Sequence, residues 1–76
     1  MTLNDVILRY KLSIKDLVDI TATTQANVRK IIKGERVGKF QVYMRLQRAL
    51  KLSNEDIYDI WLERSMTYEK YLKENA

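Results

Sequence analysis

Residues 12–34, LSIKDLVDITATTQANVRKIIKG, contain two short helical patterns with only a short polar break between them, and this arrangement is the strongest indication of the fold. Ser13 and Asp16 form a capping pattern at the start of a helix of about two turns. Thr24 can cap the next helix, and Gly34 supplies the left-handed residue that often follows a helix. The segment therefore predicts two short helices joined by a tight turn.

The second of these helices is amphipathic. Val28, Ile31 and Ile32 recur at i, i+3 and i+4, which predicts one buried side. The residues that point elsewhere are mostly polar or basic, namely Gln25, Ala26, Asn27, Arg29, Lys30 and Lys33. The function of the protein depends on what this polar side contacts.

The rest of the chain predicts an all-α fold of five helices and no strand. It lacks proline, and its only glycines are Gly34 and Gly38. Thr2 with Asp5 caps the first helix, and Ser53 with Asp56 opens a last helix that extends toward Leu72 unless Ser65-Met66-Thr67 interrupts it. The inner side of the fourth helix is predicted to hold Phe40, Tyr43, Leu46, Ala49 and Leu50. We expect a single domain over 1–76, with a core at 1–57 and a helical extension at 58–76.

Composition excludes several classes of function. The 76 residues include no cysteine and no histidine, so disulfides, thiolate or imidazole metal sites and the usual general base are absent. Glu55, Asp59 and Glu63 form an acidic row at helical spacing, which we interpret as a solvated face and not as paired catalytic carboxylates. We expect no enzyme, no cofactor and no metal. No apolar run is long enough to cross a membrane, and we expect a cytoplasmic protein.

Charge is distributed unevenly along the chain. Residues 1–52 hold eleven Lys/Arg against four Asp/Glu, whereas residues 53–76 hold three against six. The basic part suits a polyanionic ligand such as nucleic acid. Solvated helix faces that happen to differ in charge would give the same asymmetry.

The second helix of the pair carries residue types that suit a DNA major groove. Gln and Asn can pair with adenine, Arg and Lys with guanine, and Ala can contact a thymine methyl group. Gln25, Ala26, Asn27, Arg29 and Lys30 are therefore candidate base contacts, and Thr24 could bind a phosphate.

Residues 12–57 resemble the helix-turn-helix domain of the Cro/CI (Xre) family of phage and bacterial repressors. The likeness rests on a capped LS…L helix, a turn, a helix opening with Thr and three polar or small residues, a glycine after it, and the ending ALKLS. The resemblance implies a five-helix lambda-repressor-like fold with an extended C-terminal helix. It also implies a recognition helix at about 24–33 that lies in the major groove of an operator.

The resemblance also implies roles for individual residues. The base-contacting positions fall on Gln25, Ala26, Asn27 and Lys30. The family's phosphate contacts after the recognition helix fall on Lys33, Arg36 and Lys39, with a further contact at Arg45. Arg29, which faces partly outward, joins Thr24 as a candidate phosphate contact.

Three residues depart from the family pattern. Ile14 stands where the family often has a phosphate-binding Gln, Ala22 where it often has Gly, and Ile32 where it usually has a polar residue. A left-handed backbone at Ala22 would cost about 1 kcal/mol. Ile14 and Ile32 either form an apolar spot that suits a partner protein or are partly buried by the long tail.

The tail carries an apolar and aromatic stripe beyond the ordinary core. Its members are Tyr58, Trp61, Leu62, Tyr68 and Leu72. One interpretation is a dimer interface, since aromatic anchors are enriched in such contacts and the family usually binds two half-sites. In the other, Tyr58 and Trp61 pack on the first helix and complete a small core.

Three functions fit the sequence. The first, which the basic cluster favours, is a homodimeric regulator of Cro or repressor type that binds a double-stranded DNA operator. The second is an antirepressor or modulator that binds a partner repressor protein. The third is the antitoxin of a toxin-antitoxin pair, with the tail wrapping the toxin.

Overall fold

Five α-helices and no strand make up the computed structural model, which describes residues 1–76. The helices are α1 (Leu3–Tyr10), α2 (Ile14–Thr21), α3 (Gln25–Lys33), α4 (Phe40–Leu50) and α5 (Asn54–Glu74). The predicted all-α class, with five helices and a long C-terminal helix, is confirmed.

The last helix is continuous. α5 runs for 21 residues and passes through Ser65, Met66 and Thr67 without a break. The Thr67 hydroxyl lies 2.8 Å from the carbonyl oxygen of Glu63, one turn earlier, so this polar side chain finds its partner within the helix. Although α5 has the length to span a membrane, neither it nor any other helix is apolar enough to do so.

The starts of α1 and α2 are set by local hydrogen bonds, as the capping patterns predict. The Ser13 backbone N–H donates to Asp16 Oδ2 at 2.8 Å, and the Asp16 backbone N–H donates to Ser13 Oγ at 3.0 Å. Thr2 and Asp5 repeat this arrangement at α1. The backbone N–H groups of Thr2 and Ser13 hold the pKa values of Asp5 and Asp16 below their usual range.

All five helices contribute to one hydrophobic core. α2 packs on α3 and α4, and α4 packs on α5. The buried apolar side chains are Leu3, Val6, Leu17, Val28, Ile31, Tyr43, Leu46, Leu52, Ile57 and Ile60. Because Val28 and Ile31 face this core, the opposite side of α3 is left open to solvent.

The inner side of α4 was predicted correctly only in part. Tyr43 and Leu46 are buried and Leu50 is half-buried, but Ala49 is exposed and Phe40 is 71% exposed. Phe40 is the first residue of α4, and its ring lines an open groove beside α5 instead of entering the core. An apolar stripe in the sequence predicts which side of a helix faces the core, but it does not predict how far along the helix the core extends.

Candidate nucleic-acid interface

One face of α3 is a continuous exposed stripe. Gln25, Ala26, Arg29, Lys30 and Lys33 are all exposed and follow one another at helical spacing. Three of the five are cations, and none of them forms an ion pair. Four of the five were predicted to contact bases or phosphates from their side-chain chemistry, and Lys33 from the family resemblance, so those residues do share one accessible surface.

The N-terminal end of α3 is held by its own neighbours. Thr24 is the N-cap, and its Oγ1 accepts from the backbone N–H of Asn27 at 3.1 Å. Three residues, Ala22 to Thr24, join α2 to α3, and Ala22 has the left-handed φ of 54° that the turn requires. The tight turn brings the exposed start of α3 close to the end of α2.

Asn27 differs from the other predicted base contacts because its side chain is already engaged. Its Nδ2 donates to Thr23 Oγ1 at 3.0 Å, and its Oδ1 accepts from Arg36 Nη1 at 2.7 Å. The residue is half-buried. In this conformation Asn27 connects α3 to the following loop and orients Arg36, so one hydrogen of its Nδ2 and one lone pair of its Oδ1 are already used.

A basic cleft adjoins the start of α3. It has a volume of about 580 Å³ and is walled by the α2–α3 turn, the loop after α3 and the start of α4. Arg36, Lys39 and Arg45 contribute its positive charges, and Thr24 lies at its edge. Four of the six predicted phosphate contacts therefore line one concave surface, while Arg29 and Lys33 lie on the stripe of α3.

Buried contacts hold the loop that carries Arg36 and Lys39 in place. The hydroxyl of Tyr43 donates to the carbonyl of Val37, and burial raises the pKa of Tyr43 to about 12. A Cβ at Gly38 would lie 2.7 Å from Cδ1 of Ile31, because the loop lies directly against α3. The cleft is thus built on buried contacts although its charged side chains are exposed.

The C-terminal end of α3 is held by α5, which the sequence analysis missed. Arg64 is only 4% exposed, and its Nη1 donates to the carbonyl oxygens of Ile31 and Ile32 at 2.9 Å each. Gly34 ends α3 with φ 81°, and a Cβ there would lie 2.5 Å from Cγ2 of Thr67. The signal for Arg64 was its position: with Ile57 and Ile60 it follows the buried face of α5 at i, i+3 and i+7.

Glu63 completes this contact and corrects the interpretation of the acidic row. Its Oε1 accepts from Arg64 Nε at 2.9 Å and its Oε2 from Arg64 Nη2 at 2.7 Å. The Arg64 guanidinium holds the pKa of Glu63 below its usual range. Glu55 is exposed as predicted, but Glu63 is part of a structural ion pair and is not merely solvated.

The predicted partner-binding residues separate into two groups. Ile14 and Ile32 are half-buried and pack against the core. Tyr58, Trp61, Leu62 and Leu72 are exposed, and Tyr68 is half-buried. Tyr58 and Trp61, whose ring centroids are 6.0 Å apart, line with Phe40 and Met44 an apolar groove of about 350 Å³ between α4 and α5.

Comparison with known proteins adds no relative. Neither a family model, nor a curated protein, nor a solved structure matches this chain.

Proposed function

We propose that the protein binds double-stranded DNA and recognises its sequence through α3, as a helix-turn-helix regulator of the Cro/CI type. The observation that carries this proposal is the exposed stripe of α3, which combines Gln25 and Ala26 at the helix start with Arg29, Lys30 and Lys33. A helix with such a face fits the major groove, where these side chains can reach base edges.

The basic cleft beside the stripe supports the same proposal. A helix placed in the major groove brings the flanking phosphates against the adjoining loops. Arg36, Lys39 and Arg45 line such a loop region, and Asn27 holds Arg36 in place from α3. In this arrangement Gln25, Ala26 and Lys30 contact bases, whereas the cleft residues contact phosphates and orient the protein on the duplex.

A homodimer is the arrangement that suits this function. Proteins of this type commonly bind two half-sites about one DNA turn apart. The exposed aromatic side chains Tyr58 and Trp61 are the kind of anchor that dimer interfaces use. Tyr58 and Trp61 also line the apolar groove between α4 and α5, and this groove favours a second candidate function, in which the protein binds a partner repressor. In that case α3 would be dispensable for activity.

The test is duplex binding as a function of salt. From a randomised duplex library, the protein should enrich a preferred sequence, and log affinity should fall linearly with log salt concentration. Lys30→Ala should lower preference at one base position by about 1–3 kcal/mol. Lys39→Ala should weaken all duplexes alike and reduce the salt slope by about one.

A matched control comes from the acidic tail. Lys70 is exposed on α5 and pairs only with Glu74, so Lys70→Ala removes the same charge away from α3 and should leave both readouts unchanged. Absence of salt-sensitive duplex binding by the unaltered protein would rule out the proposed function. Retention of that binding with no sequence preference would rule out base contacts by α3.

A further inference from the structure

The end of α3 is bound to a residue far away in the sequence. The last four carbonyls of an α-helix have no partner in the regular hydrogen-bond pattern. Arg64 of α5 donates to two carbonyls in the last turn of α3, those of Ile31 and Ile32, each at 2.9 Å. Its positive charge also lies at the negative end of the helix dipole, where a cation is stabilising. Arg64 thus joins α5 directly to the backbone of α3.

The guanidinium cannot rotate freely in this position. Its other edge is held by the Glu63 carboxylate through the paired bonds at 2.9 and 2.7 Å. The Thr67 hydroxyl lies 2.8 Å from both Glu63 Oε2 and the Glu63 carbonyl oxygen, and the one hydrogen that it shares between them helps to orient that carboxylate. Because a planar guanidinium bonded along two edges has little freedom, the end of α3 is held at one place on α5.

We propose that Arg64 is a positioning residue that sets the angle of α3 and thereby the ability of the protein to distinguish DNA sequences. This inference rests on the proposed function. Hydrogen bonds to base edges weaken steeply when distance or angle changes, whereas the attraction of Lys and Arg for phosphates tolerates small shifts. A loosened α3 therefore loses sequence discrimination while it keeps most of its general affinity for DNA.

The experiment compares Arg64→Met with Lys70→Met, which removes the same charge from the exposed side of the same helix. Each protein is titrated with the duplex that the unaltered protein enriches from a random library, and with a scrambled duplex. Arg64→Met should reduce the ratio of the two affinities about tenfold or more, the range of one good base contact. Its affinity for the scrambled duplex should stay within about twofold of that of Lys70→Met.

Two further variants distinguish a loss of α3 positioning from a general loss of stability. Glu63→Gln keeps Arg64 but weakens its orientation, so it should show a smaller loss of discrimination in a folded protein. Arg64→Lys keeps the charge but has three donors on one nitrogen, so it cannot make the paired bonds to Glu63 and also bond both carbonyls; thermal stability should recover more than discrimination does. Equal loss of affinity for both duplexes in Arg64→Met and Glu63→Gln would overturn the proposal.

Amide hydrogen exchange separates this inference from the proposed function. Without any DNA, Arg64→Met should speed exchange at Gly34 and Glu35, whose N–H groups cap the end of α3, more than at Asn27 near its start. Uniform acceleration along α3 would overturn the positioning role even if DNA binding is intact. If amide exchange accelerates only at the end of α3 and the unaltered protein binds no DNA, then Arg64 does anchor α3 and the proposed function is wrong.

Discussion

The two ends of α3 are held in different ways. At its start, Thr24 caps the helix through the N–H of Asn27, three residues away. At its end, Arg64 bonds to Ile31 and Ile32 from more than thirty residues away. The start of α3 can therefore form as soon as the local chain folds, whereas the position of its end depends on the docking of α5.

The largest expected effect comes from Gly34, where α3 meets α5. Gly34→Ala places a Cβ in a left-handed conformation, which costs about 1 kcal/mol, and against Thr67 Cγ2 at 2.5 Å. Overpacking of this kind costs about 1–3 kcal/mol. We expect urea denaturation to show a total loss of about 2–4 kcal/mol in the free energy of unfolding.

The contact with α5 can be isolated by a second substitution. Thr67→Ser removes Cγ2 and keeps the hydroxyl that bonds to Glu63. Gly34→Ala should then cost less in the Thr67→Ser background than alone, by the share that comes from overpacking. An equal cost in both backgrounds would mean that the Thr67 methyl group does not limit the space at Gly34.

A smaller effect is expected at the start of the helix. Thr24→Ala removes the cap oxygen and should lower the free energy of unfolding by about 1 kcal/mol. Thr24→Ser retains that oxygen and serves as the matched control, with little change expected. If the Ser variant lost as much stability as the Ala variant, the methyl group and not the cap bond would be responsible.

The smallest effect is a difference in pH dependence between the two ends. The pKa of Glu63 is lowered by Arg64, so the folded protein binds this proton less readily than the unfolded chain. The resulting stabilisation is present above the usual Glu pKa and is lost as pH falls through the lowered value. No titratable group takes part in the Thr24 cap.

Acid should therefore loosen the end of α3 before its start. Amide exchange at Gly34 should accelerate relative to exchange at Asn27 as pH falls below about 4.5, after correction for the intrinsic rates. Glu63→Gln should abolish this relative change, while the separate acid sensitivity from Asp5 and Asp16 persists. Parallel acceleration at both amides would contradict the difference between the ends.

The predictions that succeeded depend on residues close together in the sequence. The caps at Ser13 and Thr24 and the glycine stop at Gly34 lie within or beside the helices they limit. The left-handed conformation considered for Ala22 is present for the same reason, because a three-residue turn leaves few alternatives. Such features follow from local geometry, so a single sequence suffices to identify them.

What the sequence predicted wrongly or did not reveal depends on contacts between distant segments. Phe40 has the right spacing for the core but lies at an end of α4 that the core does not cover. Asn27 has the right chemistry for a base contact but is engaged by Arg36 of the following loop. Arg64 shares the buried face of α5 with Ile57 and Ile60, but its partners at the end of α3 are known only once the helices have packed.

Sequence alone is enough to predict the helix count, the helix boundaries near the turn and the exposed polar face of α3. Hydrophobic period and capping chemistry act within a few residues, so they can be recognised before the chain is folded. Which side chains stay free on that face, and where α3 is held, become clear only from the packed fold. Those outcomes depend on directed hydrogen bonds from Arg36 and Arg64, whose partners come within reach only after the helices have packed.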